Sequence, residues 1–249
     1  MPHILLEACC GSADDVAQAY QAGANRVELN SSLFHGGLTP SLGTLIAAKE
    51  AVPIPIIAMV RPRAGGFCYT PLEYRAALLD AENLLLHGAD GLVFGFLHPD
   101  GTVDEERVKA LVALAGDHTT VFHRALDVTP DWRQALETLI RLGVKRVLTS
   151  GQAPNVFYAL DTIAEMIRFA QGAIEILPGA GITLRNADQV VAATGCTQIH
   201  LARHRSLPDP STANNRDIFF GGALYPPEDT FEQLDGAYIA QVRGLIDRP

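Results

Sequence analysis

Ionisable side chains recur inside or just beyond short apolar runs of this sequence: Glu7 in LLEACC, Glu28 in RVEL, Arg61 after IIAMV, His123 and Arg124 in TVFHR, Glu175 in IEIL and His200 in QIHL. A charge in a buried strand costs several kcal/mol if nothing pairs with it. Each must therefore meet a counter-charge, water or a ligand. Glu7, Glu28, His123, Glu175 and His200 suit general acid–base work, and Arg61 and Arg124 suit the clamping of a small anionic substrate. Two glycine-bearing loops, Thr149-Ser150-Gly151 and Gly179-Ala180-Gly181, offer backbone amides to an anion such as phosphate. The glutamates with a histidine could instead hold a divalent cation, although no close-spaced ligand motif is present. Cu(I) would prefer sulfur; Cys9, on the same strand face as Glu7, and Cys68, just after Arg61–Phe67, are the two cysteines able to reach the same rim. The structural alternative is a set of ion pairs in which Arg61 and Arg124 neutralise the three glutamates. Buried pairs stabilise poorly compared with apolar packing, so so many converging charges favour a pocket.

The elements that must position these groups follow one grammar. Apolar strand-like runs at Ile4–Ala8, Arg26–Leu29, Ile56–Arg61, Gly91–Phe94, Thr120–His123, Arg146–Thr149, Ala173–Leu177 and Gln198–Leu201 recur about every 20–35 residues, the size of a strand–helix unit. Helix starts are marked by Ser12, Thr39-Pro40-Ser41, Thr70-Pro71 and Thr129-Pro130-Asp131, and helix stops by Gly23, Gly88 and Gly143. Strict alternation with no long linker predicts an α/β fold, a single-domain (β/α)8 TIM-type barrel over 1–249. The runner-up, a doubly wound sheet, lacks its glycine-rich fingerprint after the first strand. In a barrel the five acid–base residues would point inward and gather at the C-terminal mouth, where barrel enzymes work. An irregular loop over about 203–229 (LPDPSTANN, FFGGALYPPED) is expected before a last helix at about Thr230–Ile246.

Composition narrows the class. A net charge of −9 over 249 residues argues against a nucleic-acid partner. MPHILLEACC has no basic leader, and no apolar run nears the roughly 18 residues of a membrane span. The expectation is a cytoplasmic protein with its four cysteines as free thiols. Cys10 and Cys196 read as small buried residues.

Taken together, LLEACC, RVELNSSLFHGGLTPSLG, MVRPRAGGFCY, GADGLVFGFLHPDGTVD, FHRALD, GVKRVLTSGQAP, IEILPGAGI and IHLAR resemble the CutC family, the copper homeostasis proteins. The resemblance spans roughly the first 200 residues. It implies a TIM-type barrel, a cytoplasmic location, a homodimer or larger homo-oligomer and a copper-binding role. Glu7, Glu28, Arg61, His123, Arg124, Ser150, Gly151, Glu175 and His200 fall at the family's polar barrel-end positions. Cys9 and Cys68 match family cysteines, whereas Asn30 stands where a second strand-end cysteine is common. The segment His200-Leu201-Ala202-Arg203 replaces a more usual His-Gly-Ser-Ala. Two functions follow: copper homeostasis through a copper ion at Cys9 and Cys68, or an enzyme acting on a small anionic or phosphorylated substrate at the barrel mouth.

Overall fold

Short apolar strands flanked by amphipathic helices bury both faces only when the strands line up inside a helical layer. In the computed structural model, which describes residues 3–221 and 225–247, eight parallel strands do so. They are β1 (Leu5–Cys10), β2 (Arg26–Leu29), β3 (Ile56–Met59), β4 (Gly91–Phe94), β5 (Thr119–Phe122), β6 (Arg146–Thr149), β7 (Glu175–Pro178) and β8 (Gln198–Leu201). The helices between and after them are α1 (Ala13–Gln21), α2 (Leu42–Ala51), α3 (Pro71–Leu86), α4 (Glu105–Ala115), α5 (Trp132–Arg141), α6 (Leu160–Ala170), α7 (Ala187–Thr194) and α8 (Gly236–Ile246). The ladder runs β7-β6-β5-β4-β3-β2-β1-β8, so the ring lacks only a backbone ladder between β7 and β8. Gln198 Nε2 spans that seam to Glu175 Oε2 at 3.2 Å. The protein is a nearly closed TIM-type barrel.

Local chemistry explains the helix boundaries. Ser12, Ser41 and Asp131 each accept a backbone N–H of the first turn of α1, α2 and α5. Thr70 and Glu73 make a reciprocal capping box with Pro71 at the first helical position of α3.

Side-chain alternation splits the core in two. Leu6, Ala8, Val27, Leu29, Ile56 and Phe94 face the helices, while Ile57, Met59, Val93, Val121, Leu148 and Leu177 form a separate cluster inside the ring. That inner cluster comes from β3, β4, β5, β6 and β7. The opposite wall, β8-β1-β2, points Gln198, His200, Glu7, Cys9, Arg26 and Glu28 inward, all buried. Register pairs Glu7 with both Arg26 and His200, and Cys9 with Glu28.

After β8 the structure departs from expectation. His204–Pro208 (β9) and Thr230–Leu234 (β10) pair as an antiparallel hairpin, so 203–229 is not irregular throughout and the last helix starts at Gly236 rather than Thr230. TFEQL carries no period-two pattern, since Phe231 and Leu234 are three apart, so its pairing with β9 sets it as a strand, and Asp235 begins α8 by accepting from Tyr238 N. The hairpin is pinned to α1 by Asp15, whose carboxylate takes Leu234 N and Gly11 N, each at 2.8 Å. The predicted loop also covers 222–224, which lie outside the described residues. Among the described residues no helix is long and apolar enough to cross a membrane.

Candidate site at the C-terminal mouth of the barrel

A cavity of about 500 Å³ opens above the strand ends, with Cys9, Glu28, Asn30, Met59, Arg61, Phe67, His123 and His200 in its wall. Its base is a compact cluster: one ligand atom each from Cys9, Glu28 and His200 lie within 4.8 Å of one another. These come from adjacent strands β8, β1 and β2, which places them side by side. Asn30, just past β2, donates through Nδ2 to Glu28 Oε1 at 3.0 Å and to Cys9 Sγ at 3.5 Å.

The electrostatics of the cluster are set one layer down. Glu7 receives Arg26 on one carboxylate oxygen and His200 Nδ1, at 2.8 Å, on the other. Burial would raise the Glu7 pKa, but the Arg26 charge and the His200 hydrogen bond overcome it and hold the carboxyl down at about 2. For His200, burial works against the cation, while Glu28, the Cys9 hydrogen bond and Glu7 together push its pKa well above the ordinary range. Burial pushes Glu28 up, against His200, with Glu7 adding to the rise. Burial likewise raises the Cys9 thiol. The cluster thus sets a thiol and Glu28, both pushed up by burial, beside an imidazole pushed toward its cation and anchored on the ionised Glu7 carboxylate.

His123 is set apart from that cluster. Its Nδ1 accepts the Ala125 N–H at 3.1 Å, while Nε2 is buried without a partner. An accepting Nδ1 leaves the neutral ring's proton on Nε2. Burial, then the Arg61 charge, lower its pKa to about 3. His123 therefore offers a fixed N–H donor rather than a base, with Phe67 tilted against it at 4.7 Å. The fit requires Gly95, since a Cβ there would overlap the His123 ring.

Arg61 does not stand free as a clamp. Nη1 donates to the His35 and Gly37 carbonyls at 2.9 and 2.8 Å, and Nη2 to Gly65 O at 2.8 Å. Only Nε is buried and unpartnered. The guanidinium organises the two loops over the mouth and leaves Nε–H and one Nη2–H. Arg124 sits half-exposed on the rim, bound through Nε to Asp127 Oδ2 and through Nη2 to Ser150 Oγ, each at 2.9 Å.

Several expected site residues lie elsewhere. Glu175 begins β7 at the opposite, N-terminal end of the barrel, exposed and bound to Arg146 Nε at 2.6 Å; it is not at the mouth. Alternation set its inward facing but not its height. Glu7 lies in the layer beneath the cavity rather than in its wall. The amide and hydroxyl of Ser150 are taken by Asp127, which also accepts Thr149 Oγ1 at 2.5 Å and Gln152 N at 3.2 Å. The loop after β6 is therefore an anion nest already filled by the chain's own carboxylate, and Gly151 packs against Ala159. The Gly179 amide is used by Thr149 O at 2.9 Å, whereas Gly181, at φ 81°, lines a second cavity beside the first. Cys68 is exposed and outside both the wall and the Cys9 cluster. The structure groups Cys9 with Glu28 and His200 rather than with Cys68.

Sequence reasoning passed over Asp127, His204 and Glu232. Asp127 was visible in FHRALD as a carboxylate next to the Arg124 loop. His204 and Glu232 reach the cavity only because β9 and β10 fold back over it, a long-range pairing without a local signal.

A TIM-type barrel with a buried Cys/Glu/His cluster beneath an open mouth is the class of protein that this geometry defines. A sequence model of the CutC family matches residues 4–205. The chain belongs to the CutC family. It is 53% identical to a family protein CutC of Treponema denticola over 93% of this chain and 94% of that one. It is 39% identical to the copper homeostasis protein cutC homolog of Mus musculus over 97% and 88%. A crystal structure solved as a candidate copper homeostasis protein CutC of Streptococcus agalactiae superposes with a TM-score of 0.76 at 32% identity, covering 79% of this chain and 97% of that one.

Proposed function

We propose that this protein serves copper homeostasis by holding a copper ion at the Cys9–Glu28–His200 cluster. The observation that carries the reading is the convergence of a thiol, an imidazole and a carboxylate oxygen within 4.8 Å. The donor chemistry fits in part: sulfur and imidazole suit Cu(I), while the harder carboxylate supplies charge balance. Binding has to displace protons from a thiol and an imidazole whose pKa values are both raised. Competition of the reduced protein against a coloured Cu(I) chelator tests this. One ion per chain is expected, with binding at least tenfold weaker in Cys9→Ser and His200→Gln and unchanged in Cys68→Ser. Equal affinity in all four proteins refutes it.

Four free cysteines support a reducing compartment, so we place the protein in the cytoplasm. Exposed Phe219, Phe220, Tyr225 and Phe231 support self-association, which sedimentation velocity measures.

A separate observation favours a second reading. Arg61 Nε, His123 Nε2 and Asn30 Oδ1 are buried without partners around a cavity of about 500 Å³, far more room than one ion takes. In this reading the mouth binds a small anionic molecule, Arg61 Nε and His123 Nε2–H donate to its oxyanion, and Glu28 with His200 exchanges protons. A thermal-shift screen of small carboxylates and phosphate esters tests it. A ligand that stabilises wild type and not Glu28→Gln supports it; no stabilising ligand refutes it.

A further inference from the structure

Beside the main cavity lies a second one of about 280 Å³, walled by the loops after β7 and β8 and by α8. The two share Arg124, Leu148, His200 and Ala202 in their walls, so they form two chambers of one mouth. Their chemistry differs. The first carries thiol, carboxylate and imidazole among apolar side chains. The second has no carboxylate in its wall but two guanidinium groups, Arg124 and Arg203, with Thr183 and Tyr238. In a chain of net charge −9 such a local excess of cations is uncharacteristic. Arg203 has no ion-pair partner among the described residues and lies over the Tyr238 ring at 5.2 Å. Arg124 spends Nε and Nη2 on Asp127 and Ser150, which fixes the group and leaves Nη1 uncommitted.

Backbone completes the wall. Ala180, Gly181 and Ile182 line it, and none of their amides donates to another described group. Ala180 and Gly181 are both left-handed, at φ 73° and 81°, a backbone that alanine seldom adopts. The neighbouring loop after β6 makes the contrast: there Asp127 fills the amide nest, whereas here no side-chain carboxylate does. Barrels commonly hold phosphate at the loops after the seventh and eighth strands.

We propose that this second chamber is an anion subsite for the phosphate group of a small phosphate monoester, whose organic body extends across His200 into the chamber over Cys9 and Glu28. The proposal rests on the small-molecule reading of the mouth. Arg124 and Arg203 supply charge-assisted hydrogen bonds, and the Ala180–Ile182 amides supply neutral donors.

The test titrates the full chain, kept metal-free with a chelator, with inorganic phosphate and with glycerol 3-phosphate at constant ionic strength, by calorimetry. Saturable millimolar binding of phosphate and tighter binding of glycerol 3-phosphate are expected. Arg203→Gln, on an exposed side chain, should fold normally and weaken both by at least tenfold. Thr183→Glu, which adds a carboxylate to the wall, should do the same. Cys68→Ser, exposed and outside both chambers, should leave inorganic phosphate binding unchanged. Phosphate binding that is absent in wild type, or indifferent to both Arg203→Gln and Thr183→Glu, overturns the subsite. If the Glu28-dependent stabilisation by other small molecules persists in that case, only the subsite falls; if it is absent too, the small-molecule reading falls with it.

Discussion

Replacing His123 by asparagine should remove most of one acid-denaturation limb. Burial and the Arg61 charge hold the His123 pKa at about 3, against an ordinary 6.5. Above pH 6.5 the ring is neutral in both folded and unfolded chains, and its contribution to stability is complete. As the pH falls below 6.5 the unfolded chain takes up a proton that the folded chain refuses until about pH 3. Stability therefore drops through that window. With about 1.4 kcal/mol per pKa unit, this group removes about 3 kcal/mol between pH 7 and pH 4. That is a large share of a typical total of about 5–15 kcal/mol. Asparagine has no proton to gain, and its Oδ1 can take over the Ala125 N–H that Nδ1 accepts at 3.1 Å. Urea unfolding of both proteins at half-unit pH steps measures the effect. The wild-type advantage over His123→Asn should shrink by about 3 kcal/mol from pH 7 to pH 4. Parallel stability curves would mean that the imidazole is solvated and freely protonated in the folded state, and the donor role given to Nε2 would be wrong.

Glu7→Gln should cost about 3–5 kcal/mol in urea unfolding, because it leaves the buried Arg26 without its charge partner. Thr70→Ala should cost about 1 kcal/mol by breaking the α3 capping box, with no change in copper affinity, since neither Thr70 nor Glu73 lines the cavity. Copper affinity should fall steeply on acidification, by up to about two decades per pH unit while both ligands carry protons, because the Cys9 and His200 pKa values are both raised; a pH-independent affinity would exclude them as ligands. Gly95→Ala should displace His123 and abolish the acid limb described above, seen in the same urea titration.

The barrel was legible because its strands obey local rules. Arg26–Leu29, Gly91–Phe94, Arg146–Thr149 and Gln198–Leu201 appear as strands with the expected ends, each bounded by recognisable turn residues or by a helix on either side. The inward facing of Glu28 and His200 followed from alternation alone. Depth along the barrel axis did not. β7 begins at Glu175 rather than Ala173, which puts that carboxylate at the far end, and only the stagger of neighbouring strands decides such a height. Cys68 was misplaced for a related reason: its loop is held by Arg63, which donates to the Cys68 carbonyl at 2.8 Å and to Glu73 at 2.6 Å, and those contacts leave the thiol in solvent. Arg61 and Ser150 were read by residue type, yet their polar atoms are largely consumed by backbone carbonyls and by Asp127. A side chain's type shows what it can bind; the neighbours that reach it first decide what remains for a ligand.

That distinction separates the two glutamates that sequence alone left interchangeable. Both are inward, buried and adjacent to His200, so type, facing and burial do not divide them. Their partners do. Arg26 lies in direct contact with Glu7 and reaches onward through Nη2 to Gln198 Oε1 at 2.9 Å, so Glu7 stays ionised far below neutral pH. Glu28 meets a neutral Asn30 amide and a neutral thiol, and burial moves its pKa up instead. When two neighbouring carboxyls are driven in opposite directions, the one driven up is the one able to exchange a proton. Glu7 is thus the fixed anchor that orients His200 through Nδ1, and Glu28 the mobile partner that faces the cavity. The same division holds for either proposed function, since a metal needs an oriented imidazole and a substrate needs a proton donor.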